Sequence, residues 1–185
     1  MDNYSELIKA CLKGNRLAQN RLYQIFADKM FGVCLRYADG EDDAKDILQD
    51  GFIKVFQNIG RFRHEGSLEG WVRRIMVNVS LEKFRKQHLM HPVEDVSIYE
   101  EPQTSDDILA KISAQELMEL IQQLSPRYRM VFNLYVMEGM NHKEIGDEMN
   151  ISVGTSKSNL ARAREILKRK VAELYRELGK NNSTA

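Results

Sequence analysis

Apolar residues recur every three or four positions along most of the chain, a spacing that predicts helices rather than strands. Leu17, Leu22, Ile25, Phe26, Met30, Val33 and Cys34 fall on one such stripe. A second runs from Asp42 to Ile59, with Ala44, Leu48, Phe52, Val55, Phe56 and Ile59 turned the same way. A third helix is expected to start near Ser67, whose hydroxyl can accept from the first free amides, with Trp71, Ile75 and Val79 on its core side. Ile108, Ile112, Leu117, Leu120, Ile121 and Leu124 predict another amphipathic helix. Ser125 and Pro126 then cap and start the next one, since proline fits a first turn. That helix turns Val131, Leu134 and Tyr135 inward, and Gly139 is its expected stop.

The last part of the chain reads as a helix-turn-helix. A short helix from Asn141 to Met149 presents Ile145 and Met149, and Ile151 marks the turn. Ser152 caps the final helix, with Thr155 at its N3 position. Leu160, Ala163, Leu167 and Val171 form its inner stripe.

The periodicity breaks from Met90 to Ala110. No lysine or arginine occurs there, Glu94, Asp95, Glu100, Glu101, Asp106 and Asp107 make the stretch acidic, and Pro92 and Pro102 interrupt it. About twenty extended residues reach on the order of 60 Å. The expected fold class is therefore all-α: two small helical domains joined by an acidic linker, the second carrying the helix-turn-helix. The expected bounds are 1–87 for the first domain, 88–107 for the linker, 108–178 for the second domain and 179–185 for a tail.

Composition narrows the classes. Hydrophobic residues make up 43% of the 185 and charged residues 29%, which fits a globular helical protein. No apolar run approaches the roughly 20 residues that span a bilayer, and the N-terminus lacks a signal-peptide pattern, so no membrane insertion and a cytoplasmic location are expected. Cys11, Cys34 and the four histidines match no zinc spacing, so no metal or other cofactor is expected, and both thiols read as core. There is no paired acid–base cluster, nucleophile motif or phosphate loop, which argues against an enzyme and against a small-molecule substrate. Formal net charge is zero, with 27 basic and 27 acidic residues, but the charges are segregated along the chain.

That segregation points to DNA. The outer face of the final helix carries Lys157, Ser158, Ala161, Arg162 and Glu165, and its start is small and polar. Small residues such as Ser152, Gly154, Thr155 and Ser156 let a helix N-terminus approach phosphate, and free N–H groups favour anions. Lys157 and Arg162 can reach base edges in the major groove. Arg164, Lys168, Arg169 and Lys170 extend positive charge for the phosphates.

The residues also match a known family. His142-Lys143-Glu144-Ile145-Gly146, then Ile151 to Ser158, then Arg162-Ala163-Arg164, resemble the C-terminal domain of the extracytoplasmic-function (ECF) sigma factors of bacterial RNA polymerase. Leu124 to Phe132 looks like the preceding helix of that domain. Asp42 to Phe52 resembles the family's polymerase-clamp-binding helix. Phe62, Trp71, Ile75, Asn78 and Arg85 resemble its promoter-melting segment.

The resemblance implies three surfaces. Ser152, Thr155, Lys157, Ser158, Ala161, Arg162, Arg164 and Lys168 would bind the −35 element. Arg63, His64, Gly66, Ser67, Arg74, Asn78 and Arg85 would bind the −10 element, the loop from Arg63 to Leu68 forming a pocket for a flipped base. Asp46, Gln49, Asp50 and Ile53 would grip a coiled coil on the clamp of core RNA polymerase. An anti-sigma factor is a further implied partner beside promoter DNA and polymerase. The acidic linker would thread through channels of the polymerase. Three positions depart from the usual pattern: Asn159 where a basic residue is common, Ala161 where a larger one is, and Glu82 in place of aspartate or asparagine. Trp71, by its place on the apolar stripe, is expected in the core rather than against a base. The alternative reading is a two-domain helix-turn-helix transcriptional regulator without a polymerase role, whose first domain would alternate strands and helices.

Overall fold

The computed structural model describes residues 4–88 and 113–181. Among them every regular element is helical. They are α1 (Ser5–Leu12), α2 (Arg16–Tyr37), α3 (Glu41–Asn58), a 3-10 turn (Ile59–Arg61), α4 (Leu68–His88), α5 (Ala114–Gln122), α6 (Pro126–Val136), α7 (His142–Met149) and α8 (Val153–Asn181). The chain divides into two compact units, Met1–Gln87 and His88–Ala185. The acidic stretch and the expected helical positions Ile108 and Ile112 lie outside the described residues.

In the first unit, Asn15 caps α2 by accepting from the Leu17 and Ala18 amides at 2.9 and 3.1 Å. This fixes the first turn with Ala18 inward. Leu17, expected on the core stripe, is 81% exposed instead, while Leu22, Phe26, Met30, Val33 and Cys34 are buried as the spacing predicted. On α3 the inner side is Ala44, Ile47, Leu48, Gly51, Phe52 and Val55. Gly51 lets α3 approach α4: a Cβ there would overlap the Met76 sulfur.

On α4 the predicted core side is displaced. Leu68, Val72, Met76, Val79 and Phe84 are buried, whereas Trp71 and Ile75 are only half-buried. Met76 packs on Gly51, and Trp71 stands at the edge of the core. Its ring lies tilted against Phe62 at 5.7 Å, and Phe62 in turn meets the His64 ring at 4.8 Å.

Burial pushes the Cys34 thiol up to about 12 and raises Cys11 as well. Since the thiolate is the reactive form, neither cysteine is expected to react with an aromatic disulfide reagent at neutral pH while the protein is folded. Both should titrate in denaturant. Rapid modification of two thiols in the native chain would contradict this packing.

In the second unit, Ser113 and Glu116 form a reciprocal capping box at the start of α5. Pro126 occupies the first turn of α6, but the Ser125 side chain makes no cap hydrogen bond, so the cap role expected of it rests on the backbone alone. α6 buries Met130, Val131, Phe132 and Leu134. It also buries Arg129, whose guanidinium donates to the Gln122 carbonyl at 2.8 Å and so ties α6 to the end of α5. Leu160, Ala163, Leu167 and Val171 of α8 are buried as expected. No described helix is long and apolar enough to cross a membrane.

Candidate nucleic-acid and polymerase interfaces

The helix-turn-helix is set by two caps and one tight turn. Asn141 accepts from the Lys143 and Glu144 amides, both at 3.0 Å, and Glu144 accepts back from the Asn141 amide at 2.8 Å. α7 ends at Asn150, which adopts the left-handed conformation (φ 53°, ψ 49°). Asparagine tolerates this region better than most residues. The Ile151 amide then returns to the Gly146 carbonyl at 3.0 Å. A Cβ on Gly146 would stand 2.8 Å from the Ile151 carbonyl oxygen, so the turn requires glycine's missing side chain.

Ser152 starts α8 as predicted: its hydroxyl accepts from the Thr155 amide at 2.9 Å and lies 2.9 Å from the Thr155 hydroxyl. The two side chains thus fix the start of the helix. Lys157 is exposed. The Ser158 hydroxyl donates to the Thr155 carbonyl at 3.0 Å, which leaves its lone pairs outward. Ala161 is half-buried. Arg162 is half-buried and lies 3.6 Å from Glu165. Lys168 is exposed.

Arg164 is the exception. Its guanidinium sits 5.6 Å over the Tyr135 ring, and that ring stacks on His142 at 4.8 Å. Tyr135 is therefore half-buried at the junction of α6, α7 and α8, rather than fully inward as the spacing suggested. His142 also reaches the hydroxyl of buried Ser156 at 3.0 Å, which joins α7 to α8. Asn159 is only 5% exposed. It lies off the outer face, so the missing basic residue there removes nothing from that face.

In the first unit the loop before α4 brings Arg63, His64, Gly66 and Ser67 together, all exposed. His64 and Gly66 both have positive φ (59° and 100°), and the Ser67 hydroxyl accepts from the Gly70 amide at 3.0 Å. Arg74 and Asn78 follow on an exposed side of α4, and Arg85 is half-buried. Trp71 and Ile75 share this side, since 71, 74, 75 and 78 are separated by three or four residues. The sequence pattern placed Trp71 with the core; the structure sets it beside the loop.

On α3, Asp46, Gln49 and Asp50 are exposed, and Ile53 is 47% exposed. They adjoin a shallow groove lined by Tyr23, Lys45, Leu48, Gln49, Phe52, Ile53 and Phe56. Tyr23 comes from α2 and meets the Phe52 ring at 4.7 Å. The α3 pattern alone could not reveal it. Lys83 of α4 pairs with Asp43 and lies 3.8 Å from Asp46. Partial burial works against its charge, but the Asp43 hydrogen bond and the charges of Asp43, Asp46 and Asp50 raise its pKa above the usual lysine value. Among the described residues no group of acidic, histidine or cysteine side chains is arranged to hold a metal ion.

The chain is similar to known proteins along most of its length. Residues 22–89 match the model of Sigma-70 region 2, and residues 114–167 match that of Sigma-70 region 4. The ECF RNA polymerase sigma factor SigW of Bacillus subtilis is 31% identical over 180 residues, covering 90% of this chain and 96% of that protein. The ECF RNA polymerase sigma-E factor of Escherichia coli is 30% identical over 182 residues, covering 92% and 95%. Among solved structures, the sigma factor RpoE in complex with the anti-sigma factor NepR from Bartonella quintana aligns at a TM-score of 0.48 with 19% identity, over 83% of this chain and 96% of that one.

Proposed function

This chain belongs to the ECF sigma factors of bacterial RNA polymerase, and from that premise we propose how its two units divide the work of promoter recognition. It binds core RNA polymerase, recognises promoter DNA and initiates transcription. The second unit reads the −35 element by laying the start of α8 in the major groove. Lys157 and Arg162 make the base contacts there, and Lys168 and the helix start hold phosphates. Arg164 contributes both to phosphate contact and to the packing of Tyr135.

The first unit opens and reads the −10 element. A base taken out of the stack costs a few kcal/mol, which binding must offset. The positive-φ loop from Arg63 to Ser67, walled by Phe62, His64 and Trp71, supports that role, and Asn78 can donate and accept on a base edge. Asp46, Gln49, Asp50 and Ile53 engage the polymerase clamp. The apolar groove from Tyr23 to Phe56, with exposed Asp46 and Asp50 beside it on α3, suits an amphipathic helix pair better than a phosphate backbone. The chain works in the cytoplasm, carries no catalytic centre of its own, and is held by an anti-sigma factor until released.

The observation that carries this reading is the presence in one chain, in order, of a region 2 unit and a region 4 unit with an exposed basic recognition helix. A regulator without a polymerase role would need alternating strands and helices in its first unit, and the described residues there are all helical. In-vitro transcription with core polymerase tests the reading directly: the chain should direct initiation from a subset of genomic fragments, and no binding to core at sub-micromolar concentration would refute it. Asp50→Lys should weaken core binding at least about tenfold, the order expected when a desolvated interface charge is reversed. Binding of the same full-length variant to −35 duplex should be unchanged. Loss of both would mean that the substitution had unfolded the chain or that α3 has another task.

A further inference from the structure

Arg74, Asn78, Glu82 and Lys86 follow one another along α4 at four-residue spacing. Arg74, Asn78 and Lys86 are exposed, and Glu82 is half-buried among them. A carboxylate in such a row opposes the approach of a phosphate backbone. The other carboxylate of α4 is Glu69, and each of the two is met by a lysine from another helix. Lys29 of α2 lies 2.8 Å from Glu69, and Lys54 of α3 lies 2.6 Å from Glu82. Glu69 stands in the first turn, where the helix N-terminus itself favours negative charge. Glu82 is far down the helix and has no such support. The Lys54 and Glu82 side chains are 38% and 45% exposed, so the pair is partly open to solvent.

We propose that Lys54 is a further positioning residue for promoter melting: its ammonium holds and neutralises Glu82, so that α4 meets the −10 single strand without a free carboxylate. This rests on the assignment of that side of α4 to the −10 strand. A salt bridge that only secured packing would lose the same whichever partner were removed. Neutralisation gives opposite signs. Removing the lysine leaves a charged Glu82 facing the strand, whereas Glu82→Gln removes the charge and frees the Lys54 ammonium for the backbone.

The test uses full-length chain assembled with core polymerase. Its equilibrium binding is measured to a fork-junction DNA whose single-stranded −10 segment comes from a promoter mapped by in-vitro transcription. Lys54→Met, which keeps the aliphatic stem packed on α4, should weaken binding about fivefold, the order of one like-charge contact near 4 Å in water. Because salt screens that repulsion, the loss should shrink as the salt concentration is raised. Glu82→Gln should bind at least as tightly as the parent, and Lys54→Met/Glu82→Gln should regain most of the loss. Equal losses from the two single substitutions, or a loss from Glu82→Gln alone, would overturn the proposal. Arg74→Ala and Asn78→Ala test the underlying assignment. If neither weakens the forked DNA, that assignment fails; if they do and Lys54→Met does not, the proposal alone fails.

Discussion

Gly146→Val is expected to destabilise the second unit and to weaken −35 binding with it. The Cβ alone would stand 2.8 Å from the Ile151 carbonyl oxygen and 3.9 Å from the Val153 amide nitrogen. Both neighbours are backbone of the turn itself, held by the Ile151-to-Gly146 hydrogen bond and by the left-handed Asn150. No side chain can swing aside. Overpacking of this kind costs about 1–3 kcal/mol. For a unit of this size that corresponds to a midpoint lowered by roughly 4–8 °C per kcal/mol. Gly146→Ala, which adds only the Cβ, is the milder member of the series. Gly51→Ala is a useful contrast, because the overlap there is with the end of the Met76 side chain, which can move. Thermal denaturation of the full chain, followed beside −35 duplex binding, checks the order. Gly146→Val with unchanged midpoint and affinity would show that the turn is not as tight as described.

Lys157→Ala/Arg162→Ala is expected to cost the most affinity of any surface change on α8. Each side chain, if bidentate to guanine, contributes about 1–3 kcal/mol, so the pair should lose roughly 2–6 kcal/mol, at least about thirtyfold in Kd. Lys157 is exposed and Arg162 half-buried, with a Glu165 contact worth at most about 1 kcal/mol, so most of the loss is expected at the DNA. The midpoint of unfolding should hardly change, and core polymerase binding should be retained. Arg164→Ala should behave differently, losing stability as well as affinity, because its guanidinium covers Tyr135. Binding to −35 duplex, measured at fixed salt across base substitutions, separates the roles. Base readers relax sequence preference, and phosphate contacts weaken all sequences alike. Unaltered sequence preference in the double variant would mean that other side chains read the bases.

Much of this molecule is legible in one dimension. Helical periodicity, Ser152 with Thr155, Asn141 with Glu144, and the inner stripe of α8 are local features, set within a few residues by caps and by 3.6-residue spacing. Charge segregation is equally local, which is why the basic outer face of α8 can be seen despite a net charge of zero. What the chain alone leaves open is rotation about each helix axis, because that depends on which neighbour packs where. The packing of α4 leaves Trp71 half-buried beside the loop at Arg63–Ser67. Tyr23 joins the α3 groove only because α2 crosses it there. Lys54 meets Glu82, and Arg164 covers Tyr135, across distances in sequence that no spacing rule links. The sequence by itself determined the main helical elements and the sign of each face. The tertiary structure decided which polar and aromatic side chains stand together on those faces, because only helix packing fixes their rotation and their partners.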